Sequence, residues 1–254
     1  HVSQPTLSVA IKKLEKRLGV ALFERNKNEV HITKVGAKVL AQAQRVLEEA
    51  EKVTQIATSS QSQLTEPLKV GAIYTAAPYV FPLLIPQLNK IAPDMPLSIQ
   101  ENFTQQLGHG IMNGQLDAAI IARPFELKGV VVKDLYKESF VVLMPKSHRL
   151  AEKSALSASD LRDENTLMLG EGHCFRDHII HSCPQCYNPT QLQQTVSGTS
   201  LETIRHMVAS GLGITLLPCT ATQIKYYSRT LCVRPFKSKT PRRTIALAWR
   251  NSFP

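Results

Sequence analysis

The chain has 254 residues, 43% of them apolar, and a formal charge of +10. That is long enough to bury a core without disulfide help, and no apolar run approaches the ~18 residues of a membrane span or forms the core of a signal peptide. A reducing cytoplasmic setting is therefore expected, the more so because the cysteines number five, an odd count, and none precedes Cys174.

The charge is uneven: residues 1 to 45 carry nine Lys and Arg against three Glu, so +6 of the +10. A small module that neutralises phosphates is the sharper reading of that excess, and a solvated basic face is the plainer one. From Ser3 to Leu18, apolar residues at Leu7, Ala10, Ile11, Leu14 and Leu18 make a one-sided helical stripe. Ser3 stands at the N-cap position, with Pro5 in the first turn. The polar face carries Gln4, Thr6, Ser8, Lys12, Lys16 and Arg17, short polar groups followed by cations, which suit base edges and phosphates respectively. Two short β-like runs then flank Asn26-Lys27-Asn28 and predict a hairpin, or wing, with basic residues such as Arg25 near its tip.

A second helix is predicted from Thr33 to about Ala57. Its Val39, Ala43, Val46, Ala50, Val53 and Ala57 alternate steps of four and three, a heptad seam that asks for a partner or, more plainly, for its own domain. Residues 59–67 form a polar linker closed by Pro67. Strand and helix segments then alternate: LKVGAI, PYVFPLLIPQLNKIA, LSIQENF, TQQLGHGIMNGQ and LDAAIIA, which predict a parallel-rich α/β sheet. GVVVKDLYKESFVVLMP would cross into a second lobe holding TLMLGEG, a helix opening at His173, QLQQTVSG, SLETIRHMVASG, GITLLP and TLCVRPF. RTIALAWR would return to the first lobe. The expected division is a partial winged helix-turn-helix at 1–33, a dimerising helix at 34–58, a hinge linker at 59–67 and a two-lobed α/β domain at 68–254. Its first lobe takes about 68–138 and 243–254, its second about 139–242. The cleft between lobes is a default ligand site.

Three cysteines and three histidines fall in GEGHCFRDHIIHSCPQC, residues 170–186. Cys174 follows a glycine turn and should sit in a helix's first turn, where unpaired N–H groups, His173 and Arg176 are expected to lower its pKa. A thiolate there attacks peroxide to give a sulfenic acid. Cys183 is nine residues on, so a continuous helix, rising about 1.5 Å per residue, would hold the pair roughly 13 Å apart. A disulfide needs Cα atoms within about 7 Å, so bridging them requires the helix to unwind. Pro184 favours a helix end there. Zinc is a competing reading of His173, Cys174, His178, His181, Cys183 and Cys186, without a second ligand pair elsewhere, and no metal or other cofactor is expected. CPQC could also be a thioredoxin-like pair, although it ends a helix instead of starting one. Cys219 and Cys232 read as small core residues, and His109, His148 and His206 as ordinary histidines.

The start HVSQPTLSVAIKKLEKRLGVALFER and the late GITLLP resemble the LysR-type transcriptional regulators along nearly the whole chain. GHCFRDHIIHSC, PRRTIALAWR, PYVFPLLIPQL after Thr75 and FTQQL with Thr104 are similar to that family's peroxide-sensing activators. The resemblance implies that the first helix of the winged helix-turn-helix, and a last helix after Pro254, lie outside the chain. It also implies homodimers and homotetramers on dyad sites in double-stranded promoter DNA, contact with RNA polymerase, and hydrogen peroxide as the signal. Cys174 would be peroxidatic and Cys183 resolving, with Thr75, Thr104, His173, Asp177 and Arg243 around Cys174. Thr75 and Thr104 could equally be helix N-caps, and whether Cys183 or Cys186 resolves the sulfenate stays open. Other readings are a regulator binding a small anion in the cleft, a thiol peroxidase, and a periplasmic binding protein, which would need a signal peptide and a different N-terminus.

Overall fold

The computed structural model describes residues 3–25, 30–58, 66–186, 200–222, 229–238 and 240–253. Two compact units divide between Gln63 and Leu64. The first holds α1 (Gln4–Leu18), the strands β1 (Phe23–Arg25) and β2 (Val30–Ile32), and α2 (Lys34–Thr58). Ser3 is the N-cap residue of α1, but its hydroxyl pairs with that of Thr6 at 2.8 Å instead of capping a backbone N–H. Gly19 ends the helix in the left-handed region. Glu15 reaches past it, and its carboxylate accepts from the N–H groups of Leu22 and Phe23 at 2.7 and 3.0 Å, tying α1 to the strand that follows. β1 and β2 pair antiparallel, Phe23 opposite Ile32, as a wing requires. The expected tip, Asn26-Lys27-Asn28, lies outside the described residues, as does the side chain of Arg25. Thr33 caps α2, its hydroxyl accepting from the N–H of Gly36 at 2.8 Å.

Much of each apolar stripe of this unit is exposed. Leu7, Leu14 and Leu18 of α1 are exposed, as are Val46 and Val53 of the α2 seam, together with Ala43 and Ala50; Val39 is half-buried. The side chain of Ala57 and most of the 59–67 linker are outside the described residues.

The second unit is built on an eight-stranded sheet. Its strands are β3 (Leu68–Ile73), β4 (Leu97–Asn102), β5 (Ala118–Ala122), β6 (Val130–Pro145), β7 (Thr166–Leu167), β8 (Ile214–Pro218), β9 (Leu231–Pro235) and β10 (Arg242–Arg250), in the order β4-β3-β5-β10-β6-β8-β7 with β9 also on β6. α3 (Ala77–Ile91), α4 (Thr104–Met112), α5 (Cys174–Ser182) and α6 (Leu201–Ala209) complete it. The expected parallel-rich sheet is instead mixed. β3 is parallel to β4 and β5, and β7 to β8, but β10 runs antiparallel to β5 and β6, and β6 antiparallel to β8 and β9. The reason is that β10 returns from the far end of the chain to lie against two strands of the first half, which no helical crossover precedes.

The 16-residue β6 belongs to both halves, pairing with β10 along 130–139 and with β8 and β9 along 140–145. Two apolar cores flank the exchange: one around Ile73, Leu107, Ile121 and Ile245, the other around Phe140, Leu167, Phe175 and Leu216. Gly71 on β3 brings α4 close, since a Cβ there would meet Leu107 Cδ2 at 2.6 Å. The predicted QLQQTVSG strand lies outside the described residues.

Candidate functional site

α5 begins at Cys174, with His173 as its N-cap residue. The turn before it depends on Gly172, whose φ of +89° favours glycine and whose missing side chain leaves room for the Phe103 ring, 3.3 Å from where a Cβ would stand. Phe103 in turn precedes Thr104, the first residue of α4, so the ends of β4 and α5 meet at Cys174. The cysteine is half-buried and packs against the first core, whereas Cys183, at the other end of the same helix, is fully buried in the second.

Cys174 opens onto a cavity of about 360 Å³ that Thr104, Asp177, Gly172, His109 and Glu126 help to line. The Thr104 hydroxyl is buried and makes no fully formed hydrogen bond to a protein atom, yet it lies near enough to the thiol to stabilise its anion. It does not cap α4, and Thr75 does not cap α3. Thr75 instead holds Arg243: Nη1 donates to its hydroxyl at 2.7 Å and Nη2 to its carbonyl at 2.9 Å. The third arm of the guanidinium, Nε, donates to Glu138 at 2.7 Å, and both charged side chains are almost wholly buried. Arg243 also lies over the Phe175 ring, 4.9 Å from its centre. Arg243 is thus a fixed cation beneath α5, not part of the cavity wall.

Burial pushes the Cys174 thiol up from its ordinary value; the Thr104 hydroxyl and the Arg243 charge pull it down, and Asp177 pushes it further up. This corrects the expectation of a lowered pKa. The helix start is present, but removing the sulfur from water outweighs it. His173 is buried edge-on against Phe103, ring centres 4.8 Å apart, with Tyr74 beyond at 5.9 Å, and the cation that acts on the sulfur is Arg243. Of the five expected pocket residues, Thr104 and Asp177 line the cavity with Cys174, and Thr75, His173 and Arg243 are not among its lining residues.

His178 donates Nε2–H to the Arg123 carbonyl at 2.7 Å, and burial, aided by Arg243, lowers its pKa, so it is neutral at pH 7. Among the described residues no three His, Cys, Asp or Glu side chains converge on a point that could hold a metal ion. Cys183 and Cys186 are joined as a disulfide across the turn that follows α5, with Cα atoms 5.5 Å apart. Cys219 and Cys232 are half-buried free thiols; Cys232 packs against the second core as expected, whereas Cys219 belongs to neither core. His109, read from the sequence as an ordinary histidine, and Glu126, not named there, both line the cavity, and no local spacing marks either residue. Nor does any mark Tyr79 on α3, whose hydroxyl donates to Glu202 at 3.3 Å and accepts from Arg205 at 3.4 Å, linking α3 to α6.

A two-lobed α/β unit with a cysteine at a helix start, preceded in the chain by a helix and wing, has clear counterparts. Residues 61–254 match the model of the LysR substrate binding domain, and residues 1–37 that of the bacterial regulatory helix-turn-helix protein, lysR family. The chain belongs to the LysR family. It is similar to full-length OxyR of Pseudomonas aeruginosa in a cysteine-to-aspartate variant, at 51% identity and a TM-score of 0.84 over 100% of this chain and 82% of that one. It is also similar to hydrogen-peroxide-bound OxyR of Corynebacterium glutamicum in a cysteine-to-serine variant, at 35% identity and a TM-score of 0.69, covering 99% and 79%. The hydrogen peroxide-inducible genes activator of Dickeya chrysanthemi is 37% identical over 100% of this chain and 83% of its own length. Among the described residues no helix is long and apolar enough to cross a membrane.

Proposed function

We propose that this LysR-family chain is a cytoplasmic transcriptional regulator that senses hydrogen peroxide through Cys174 and forms a disulfide between Cys174 and Cys183, activating oxidative-stress genes. The observation that carries the reading is a free thiol at a helix start, open to a cavity, with the Thr104 hydroxyl and the Arg243 charge favouring its anion. The thiolate attacks one peroxide oxygen and the other leaves as hydroxide, a charge that a nearby hydroxyl and cation can stabilise. Asp177 can order peroxide in the cavity, and Thr75 and Glu138 hold Arg243 still, while His173, packed on Phe103, steadies the start of α5.

Cys183 resolves the sulfenate. The nine-residue α5 stands between the two cysteines and the cores they pack in differ, so the bridge forms only if α5 unwinds. In the regulatory domain, 68–254, that refolding falls between a first lobe of about 68–138 and 243–254 and a second of about 139–242. The signal passes through the hinge linker, 59–67, to the α2 seam (Val39, Ala43, Val46, Ala50, Val53), by which copies pair into dimers and tetramers, and to the 1–33 module. There Gln4, Thr6 and Ser8 read base edges while Lys12 and Arg25 meet phosphates of a promoter dyad, and the active form engages RNA polymerase. The names of the peroxide-inducible relatives support the signal, and the exposed α2 seam supports the pairing. The test is the Cys174→Ser variant in a peroxide-induced promoter assay: the response should vanish while operator binding survives. An unchanged response refutes the reading, and sustained catalytic consumption of peroxide points to a thiol peroxidase.

A further inference from the structure

We propose that Cys186 takes the disulfide over from Cys174, so that the CPQC turn is a built-in off-switch of the oxidised form. The inference rests on the reading of Cys174 as the peroxide-reactive thiol, and it gives a role to the one cysteine of the segment that this reading leaves unused.

Cys183 and Cys186 are bonded while α5 is a complete helix and Cys174 is a free thiol. Their Cα separation of 5.5 Å is within the range a disulfide spans, so this bond costs no helix. The backbone supports it. The N–H of Cys183 donates to Ile179 at 2.8 Å, ending α5, and the N–H of Cys186 donates to the carbonyl of Cys183 at 2.9 Å, folding a turn that sets both sulfurs on one side. Pro184 supplies no N–H that could prolong α5. Both cysteines are buried in the second core, beside Phe175 and Ile179.

The chemistry balances without a further reactant. Cys174 thiolate attacks peroxide, forming its S–O bond as the O–O bond breaks, and the departing hydroxide takes a proton to become water. Cys183 thiolate attacks the sulfenic sulfur, expelling a second hydroxide and making the Cys174–Cys183 bond. Cys186 thiolate then attacks Sγ of Cys183; the S–S bond to Cys174 breaks, and Cys174 leaves as thiolate. The last step moves no electrons out of the protein. It exchanges one disulfide for another, so its direction is set by what else each state keeps. The Cys174–Cys183 state gives up α5 and the burial of Phe175 and Ile179, which are 1% and 2% exposed in the native fold. The Cys183–Cys186 state keeps all of it. With two residues between them instead of eight, Cys183 and Cys186 also close the shorter loop. Once α5 reforms, Cys174 is carried about 13 Å from Cys183 and the reverse attack is cut off.

The active, unwound form is therefore transient. It decays to a form that is still oxidised but has α5 restored and Cys174 ready for a second peroxide. A second oxidation then leaves Cys174 as a sulfenic acid with no thiol of this segment free to resolve it.

The experiment uses the full chain, reduced and given one equivalent of peroxide, then quenched with acid, alkylated at a series of times and mapped without reduction. In the wild type the Cys174–Cys183 peptide should rise and fall, leaving Cys183–Cys186 linked and Cys174 alkylated. In Cys186→Ser, and in Cys186→Ala should serine disturb the buried site, the Cys174–Cys183 peptide should persist at least about tenfold longer. In a separate measurement with peroxide in excess, rapid consumption should be about two equivalents per chain in the wild type and about one in the variants. The proposal is overturned if the wild type ends as Cys174–Cys183 with Cys186 alkylated. It is also overturned if Cys183–Cys186 forms equally fast in Cys174→Ser. Should Cys174 remain fully reduced in every variant, the peroxide-sensor reading falls first and this one with it.

Discussion

Replacing Arg243 by Met removes an ion pair with Glu138 at 2.7 Å and two hydrogen bonds to Thr75 at 2.7 and 2.9 Å, and keeps much of the side chain's length. What remains is a carboxylate that is 2% exposed, with the Thr220 hydroxyl as its other side-chain partner. Stranding a buried charge in this way costs about 3–5 kcal/mol. With a urea m-value near the upper end of the usual range of about 1–3 kcal/mol/M, the unfolding midpoint should fall by roughly 1–2 M. Glu138→Gln alone strands the guanidinium instead. The Arg243→Met/Glu138→Gln pair removes both charges and should be more stable than the sum of the single losses by about 1–3 kcal/mol. Urea titrations of the four proteins, followed by far-UV circular dichroism, read this directly. Because Arg243 also favours the Cys174 anion, the single Arg243→Met variant should oxidise several-fold more slowly at neutral pH. A loss below about 1 kcal/mol in Arg243→Met, or strict additivity in the double variant, would refute the idea that a fixed, paired cation underlies α5.

Thr104→Val keeps shape and removes the hydroxyl that favours the Cys174 thiolate, so stopped-flow oxidation by peroxide should slow about tenfold with stability changed by less than about 1 kcal/mol; an unchanged rate contradicts the assigned role. Burial raises the Cys174 pKa, so the neutral thiol is the form the fold prefers. Its contribution to stability is present below the unfolded value of about 8.5 and is lost as pH rises through the folded one. The oxidation rate should accordingly climb about tenfold per pH unit between about pH 6 and about pH 8, and a plateau there would show a thiolate already formed. In the α2 seam Val46 is 59% exposed in the single chain, and Val46→Asp should weaken self-association at least about a hundredfold by sedimentation, one carboxylate being buried from each copy; an unaltered dimer places the interface elsewhere.

Much of this molecule was legible because its signals are local. The helical stripe of α1, the helical run of α2 and the Pro184 stop of α5 each follow from spacing and backbone chemistry within one turn of helix or so. The long β6 segment announced a strand that crosses between halves, and RTIALAWR a strand that returns. The mixed pairing of the sheet was not legible, since nothing within β10 says that it runs against both β5 and β6. The site divides in the same way. Cys174 at a helix start could be placed from GEGHC, but the rise in its pKa depends on burial, and the groups that act on it include Thr104 and Arg243, each about seventy residues away in the chain. Arg243 was named by resemblance, and its partner Glu138 was not named at all, because the pair joins residues 105 positions apart. His109 and Glu126 reach the cavity from a helix and a loop whose own sequences are unremarkable. Cys186 was visible as an extra cysteine, but its partner could be read only once the turn after α5 was in place.

The central claim is that Cys174 is the atom peroxide oxidises first. With Cys183 and Cys186 both changed to Ser, no neighbouring thiol of this segment can resolve a sulfenic acid, so it should accumulate. Dimedone labelling of that double variant, reduced and treated with one equivalent of peroxide, followed by peptide mass spectrometry, should place the adduct on Cys174 and leave Cys219 and Cys232 unlabelled. Labelling of Cys219 or Cys232 in its place, or an unmodified Cys174 after the peroxide is consumed, would contradict the account.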